Sequence, residues 1–434
     1  MISRADTETS PARRGGAVRT GAPGIASRYE AVRRATEDLS RPLGPEDCLV
    51  QSMPDASPVK WHIAHTTWFF ETFILLPHAP GYSAFHPSFS YLFNSYYNAV
   101  GDRVPRGRRG LMTRPTLGEV SAYRAAVDGA MAAYLGSIGD DPDSPTIPVV
   151  ELGLNHEQQH QELILTDIKH AFAQNPLRPA YRDDLPDGRG AAAAGFAWVD
   201  RPGGLGRVGH DGVGFAFDNE GPRHRVYVED YRLGSRPVTC GEYLEFIDGG
   251  GYSRPEPWLS DGWAAVQAHR WEAPMYWERG DGGWMVMTLG GLRPVVESEP
   301  VCHVSFYEAD AFARWSGARL PTEFEWELAA AGHEVAGNFV EGGPLHPRAH
   351  GGPGLAQLFG DVWEWTRSPY TPYPGSRPAA GALGEYNAKF MCNQIVLRGG
   401  SCVTPASHVR ATYRNFFPPD ARWQFSGIRL AKDS

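Results

Sequence analysis

Residues 155–164 read NHEQQHQELI, and within them His156, Glu157 and His160 form the pattern H-E-x-x-H. On a helix this spacing sets two imidazoles one turn apart on one face, where they can bind a metal while the Glu activates water. Leu152, His156, His160 and Ile164 recur every fourth residue, one inward-facing stripe. In SPVKWHIAHTTWFFETFILL (57–76), Trp61, His65, Trp68 and Phe69 form a similar stripe that turns His65 inward. Three histidines then converge in one core, where helical bundles build metal sites. His62 points off the stripe and reads as structural. The longer zinc-peptidase motif requires Gly and His farther along, but Leu163 and Thr166 stand there. Glu157 lies about 100° around the helix from His156, so it can still face the metal. Three histidines on octahedral iron leave three open positions, which suits dioxygen chemistry on two substrates held together.

Up to about residue 174 the chain reads as helices that position these groups. ASRYEAVRRATEDLS, the His65 segment, LGEVSAYRAAVDGAMAAYLG and PVVELGLNHEQQHQELILTDIKHAF all carry helical apolar spacing, a four-helix bundle over 26–174. The stretch from His78 to Pro115 is rich in Gly, Pro, Tyr and Arg, and a loop that long in a compact domain is usually functional. Residues 1–25 read as a disordered tail without the apolar segment of a secretory signal. Residues 175–195 read as a linker. From 196 to 434 the grammar changes to short strands, Trp-rich turns and many glycines, an α+β domain with helices expected over 240–246, 307–316 and 323–331. Gly204 to Gly209 matches GxGxxG, but the following HDGVGFAFDNEGP cannot form the helix that a dinucleotide site needs.

Composition narrows the function. With 434 residues there is room for two or three domains, and a formal charge of −9 argues against a nucleic-acid-binding surface. Five scattered cysteines without a CxxC pair suit a reducing cytoplasm. The apolar run Trp68–Leu76 is too short for a membrane span and is interrupted by Glu71.

At this point the residues resemble known families. PVKWHIAHTTWFFETF and NHEQQHQE resemble the DinB-like bundle. EPVCHVSFYEADAFARWSGARLPTEFEWELAA, LFGDVWEWTRSPY and VLRGGSCVTP resemble the formylglycine-generating-enzyme fold, which is C-type-lectin-like. That order, bundle first, is similar to the sulfoxide synthases of ergothioneine biosynthesis. The resemblance implies non-haem iron(II) joining a cysteine thiol to Nα-trimethylhistidine (hercynine) with dioxygen, giving a sulfoxide. It implies His65, His156 and His160 as iron ligands and Gln159 at the hercynine imidazole. Asn415 and Phe416 match the positions that hold the trimethylammonium group, with Phe417 beside them. Such a group donates no hydrogen bond and is recognised by aromatic faces. Arg398, Gly399, Gly400, Trp363, Glu364 and Trp365 read as structural, and no cysteines are paired for the copper site of true formylglycine-generating enzymes.

One departure bears on the thiol donor. The γ-glutamylcysteine-using branch carries an Asp and an Arg where this chain has Phe417 and Ala421, so free cysteine is the expected donor. The cysteine-using branch is also similar in Asn94 to Tyr97, which implies Tyr96 or Tyr97 as proton donor. Tyr370 and Tyr373 are the competitors, and Arg103 is the candidate clamp for the cysteine carboxylate. The different class kept open is a DinB-like thiol-transferase or zinc hydrolase carrying a lectin-like binding module.

Overall fold

A computed structural model describes residues 23–141, 143–186, 192–352, 354–378 and 381–434. The bundle comprises Ile25–Ser40, Val59–Phe70, Leu117–Ile138 and Ile147–Gln174. Of the expected N-terminal tail, residues 1–22 lie outside the described residues, and Ile25 already opens the first helix. The third helix starts with a capping box in which Thr116 accepts from the Glu119 N–H and Glu119 bonds back. Every residue of Val59–Phe70 is buried, because the other bundle helices and the following loop enclose it.

Past Phe70 the second helix widens into a π-turn, Glu71–Leu75. Glu71 is buried there and accepts from Tyr123 Oη at 2.6 Å, Tyr82 Oη at 2.8 Å and the Phe85 N–H at 2.8 Å. One carboxylate thus pins the start of the long loop to the bundle, and its hydrogen bonds offset its desolvation. Farther along, Lys60 Nζ donates to the Met112 and Pro115 carbonyls. The loop's short helix Phe89–Phe93 lies against the second bundle helix.

The C-terminal part is α+β. A four-stranded sheet runs 415–417, 395–398, 363–369 and 426–427 in spatial order, antiparallel except where Ser426–Gly427 joins Trp363–Glu364. Helices Cys240–Asp248, Phe306–Trp315 and Glu323–Ala330 fall where periodicity places them, each opened by a capping box. Ser260–His269 is a further helix that periodicity does not single out. Gly204–Val208 is a strand paired antiparallel with His224–Val228, so the GxGxxG match opens a hairpin and not a helix. Glu364 is fully buried between Arg429 and the Trp326 indole N–H, and Arg398 pairs with Glu323 and Glu327. Gly399 has φ +101°, and a Cβ there would stand 2.5 Å from the Leu358 carbonyl oxygen.

The fourth bundle helix is the spine between the two parts. Glu162 accepts from Trp363 Nε1 at 2.6 Å and Thr404 Oγ1 at 2.6 Å, Gln158 donates to Ser407 at 2.7 Å, and Asn155 meets His408 at 3.1 Å. Lys169 reaches His303 Nε2 at 2.6 Å, and burial pushes its ammonium down to about 8. Within the stretch read as a linker, Tyr181 is buried. Its N–H donates to the Leu289 carbonyl at 2.8 Å and its hydroxyl to the Leu39 carbonyl at 2.5 Å, one anchor in each part.

Candidate metal centre at the interface of the two parts

His65, His156 and His160 come together in the bundle core, each buried, with one ring nitrogen from each lying within 4.8 Å of the others. His156 Nε2 is 3.2 Å from His65 Nε2 and 3.1 Å from His160 Nε2. Two nitrogens bound to one ion at about 2.1 Å, on adjacent positions, lie roughly 3 Å apart. The donor set therefore fits a transition metal, and its chemistry, three imidazoles with no carboxylate among them, fits zinc, iron, copper or nickel. Burial is the main cause that holds His65 and His160 well below the usual imidazole range and His156 down to about 3. All three are neutral near pH 7, the form that binds metal.

The ring of His65 is fixed from three sides. It stacks between Trp61 at 4.5 Å and Trp68 at 5.5 Å, and its Nδ1 lies 2.6 Å from the Phe93 carbonyl oxygen at the end of the loop helix. Arg109 lies over the Trp61 ring, 3.4 Å from its centroid, and donates to Ser57 and Ser95. Burial lowers Arg109 to about 9.

Glu157 does not face this centre. It is fully buried on the opposite side, accepting from Arg33 Nη1 at 2.8 Å, Arg124 Nη2 at 2.8 Å and Thr36 Oγ1 at 2.7 Å. Burial alone would raise its carboxyl, but Arg124 and Arg33 outweigh it and hold it down to about 2. The expectation that Glu157 can face the metal is corrected: the direction was set by arginines on two other helices. A carboxylate so held cannot take a proton from water near pH 7, and the water-activating role of H-E-x-x-H falls away.

His62 is no member of the triad, yet it touches it. Its Nδ1 is 2.7 Å from His160 Nδ1, and its Nε2 is 3.0 Å from Asp167 Oδ2. Asp167 lies seven residues after His160, two turns along the same face, a signal available in the sequence.

The other expected site residues fall in two groups. Gln159 is half-buried beside the triad, with Nε2 donating to Tyr413 Oη at 2.8 Å and Oε1 accepting from Tyr386 Oη. Tyr97 is fully buried against Trp68 and Phe73, and its ring lies 4.7 Å from that of Tyr96. Burial is the main cause that raises both phenols, so each keeps its proton at neutral pH. Tyr96 in turn meets Phe390 at 5.3 Å, and Phe390 meets Phe416 at 6.1 Å. Phe416 stacks on Tyr370 at 4.1 Å, on the edge strand that also carries Asn415 and Phe417. This aromatic row links the loop tyrosines to the C-terminal strand. Arg103 stands apart, half-buried at the loop's outer rim, where Nη1 donates to Asn98 Oδ1 at 2.5 Å.

Both competitor tyrosines are engaged elsewhere: Tyr370 Oη accepts from Asn219, and Tyr373 Oη from Arg398. Tyr386 was not foreseen. Its ring lies 5.6 Å from His156 and stacks on Phe217, and it lines a cavity of about 530 Å³ with Leu152, Phe215 and Asp218. It comes from GALGEYNAKF, which has no periodicity to mark it.

Eight buried histidines predict an acid limit. Burial lowers His62, His65, His156, His160, His170, His303, His346 and His408. Unfolded imidazoles protonate as pH drops through about 6.5 while the folded ones stay neutral, so the unfolded state gains protons and stability falls. Each group costs about 1.4 kcal/mol per pH unit in that window. The melting temperature of metal-free protein is expected to drop steeply between about pH 6 and 5. A melting temperature that holds constant to pH 5 would contradict this.

Comparison with known proteins agrees with this division. The DinB superfamily model matches residues 28–164, and the sulfatase-modifying factor enzyme 1-like domain matches 194–352 and 350–434. The hercynine oxygenase of Mycolicibacterium smegmatis is 33% identical over 88% of this chain and 92% of its own length. That of Mycobacterium tuberculosis is 34% identical over the same shares. The formylglycine-generating enzyme of Thermomonospora curvata is 27% identical, covering 59% of this chain and 99% of its own. The two hercynine oxygenases, covering 88% of this chain, span both parts, and the chain belongs to the hercynine oxygenase family.

Proposed function

We propose that this protein joins the sulfur of cysteine to the imidazole carbon of hercynine and oxidises that sulfur to the sulfoxide, using iron(II) and dioxygen. The observation that carries the reading is the buried, neutral three-histidine cluster at the interface of the two parts, in a chain of this family. The balance closes: the thiol S–H and the imidazole C–H are lost, one oxygen atom goes to sulfur, and the other leaves as water. Iron(II) on His65, His156 and His160 would supply dioxygen activation beside a bound thiolate. The amide of Gln159, held at both ends by Tyr386 and Tyr413, orients the hercynine imidazole. Phe416 and Asn415 receive the trimethylammonium group, whose contact with each aromatic face contributes about 0.5–2 kcal/mol. Arg103 pairs with the cysteine carboxylate, swinging from Asn98.

Tyr97, with Tyr96 against it, holds the proton delivered during oxygen transfer. Tyr→Phe at one of these two positions is expected to slow sulfoxide synthesis at least about tenfold while leaving metal content unchanged. Wild-type rates and product ratios in both single variants and the double variant would remove the role from this pair.

Cysteine is the donor on this reading because Phe417 packs edge-on against Trp423 and Ala421 is buried, so neither can pair with a γ-glutamyl ammonium or carboxylate. In a competition with equal cysteine and γ-glutamylcysteine, cysteine is expected to be consumed first. Preferential loss of γ-glutamylcysteine would reverse the assignment. Oxygen uptake that requires hercynine and thiol together is the test of the reaction class.

A further inference from the structure

The three clustered histidines are alike in burial but differ in what stands behind them. His65 has a neutral backbone carbonyl at Nδ1, that of Phe93 at 2.6 Å. His156 Nδ1 is buried with no hydrogen-bond partner among the described residues. His160 Nδ1 has His62 Nδ1 at 2.7 Å, and His62 Nε2 has Asp167 Oδ2 at 3.0 Å. Asp167 Oδ2 also accepts the Ser57 N–H at 2.8 Å, and all of these side chains are buried. Among the described residues, His160 alone of the three is backed by a hydrogen-bonded row that ends in a carboxylate.

Proton placement along this row follows from its end. The carboxylate can only accept, so His62 Nε2 carries a hydrogen and donates it to Asp167. Neutral His62 then has a bare Nδ1, which accepts, so the hydrogen between the two rings sits on His160 Nδ1. His160 Nε2 is left with its lone pair toward His65 and His156. Were the hydrogen on the other ring nitrogen, His160 Nε2–H would point at His156 Nε2, 3.1 Å away, and occupy the place of the metal. We propose that Asp167 and His62 are positioning residues that fix the metal-binding tautomer of His160 and make it the strongest donor of the three histidines. Carboxylate–histidine pairs behind a metal ligand raise its basicity, and here a second imidazole extends the pair by one ring. The inference rests on the three-histidine metal site proposed above, though not on the reaction assigned to it.

Metal affinity tests it without turnover. Metal-free wild type, His62→Phe, His62→Asn and Asp167→Asn are titrated with iron(II) under anaerobic conditions, and separately with zinc(II), in competition with a chelator. His62→Phe removes the acceptor behind His160, with an expected loss of about 10–100-fold in affinity for both metals. His62→Asn places Oδ1 near the lost Nδ1, where it can accept from His160, and is expected to recover most of that loss. Asp167→Asn keeps shape but removes charge, with an expected loss of about tenfold. Wild-type affinity in His62→Phe and Asp167→Asn would overturn the relay, as would equal losses in His62→Phe and His62→Asn, which would mean packing alone. If His62→Phe does not fold, the nearly isosteric Asp167→Asn decides. Wild-type protein that takes up neither metal would overturn the three-histidine reading itself, and the relay with it.

Discussion

His156→Ala, offered iron(II) anaerobically, is expected to retain no stoichiometric metal and to form no sulfoxide. His156 stands in the middle of the cluster, 3.2 Å from His65 Nε2 and 3.1 Å from His160 Nε2, so its loss leaves two donors facing across a gap. Two imidazoles hold iron(II) weakly, since three neutral nitrogens are the cluster that the described residues offer in place of the ion's water shell. The loss should exceed the roughly 10–100-fold expected for an outer partner. His65→Ala and His160→Ala should behave alike. Stoichiometric iron in any of the three, measured by metal analysis after desalting, would remove that histidine from the ligand set.

The second large effect is on stability. Glu157→Ala strips the shared, fully buried partner from Arg33 and Arg124, both buried, and leaves Arg124, among the described residues, with only the more exposed Glu37 at 3.3 Å and the edge of Asp128 as ionic partners. Removing one side of a buried ion pair costs about 3–5 kcal/mol. For a domain of this size that lowers the melting temperature by on the order of 10 °C. Arg33 retains Asp128 at 2.7 Å, so the bundle weakens without every contact being lost. Iron uptake at low temperature should persist, because Glu157 faces away from the triad. A water-activating Glu would give the opposite result, activity lost at unchanged stability. Glu157→Gln with a wild-type melting curve and no activity would therefore sink this assignment.

These two expectations mark what could be read from the residues and what could not. The clustering of the three histidines was legible because helical periodicity assigns faces: His156 and His160 share a stripe, and the Trp61–Phe69 stripe turned His65 to meet them. The direction of Glu157 was not legible, since it depends on Arg33, Thr36 and Arg124 reaching it from other helices. Periodicity also cannot show a backbone partner such as the Phe93 carbonyl behind His65. Tyr386 was missed because it follows a glycine-rich turn with neither period. The helix Ser260–His269 was missed because it lacks a side-chain cap at its start and contains Gly262. That glycine is required by packing, as a Cβ there would stand 2.9 Å from Tyr307 Cβ. The motifs of the C-terminal domain were legible by resemblance, whereas its strands, several only two to four residues long, carry too little alternation to be read alone.

On the proposed function, one centre of three histidines forms a carbon–sulfur bond and a sulfoxide together. Mass spectrometry of the product formed from hercynine, cysteine, iron(II) and ¹⁸O-labelled dioxygen reads both events in one molecule. The predicted product has the summed mass of the two substrates less two hydrogens plus one labelled oxygen, and it disappears in His156→Ala. Cysteine sulfinate as the sole oxidised product, or a thiol adduct carrying no labelled oxygen, would contradict the claim.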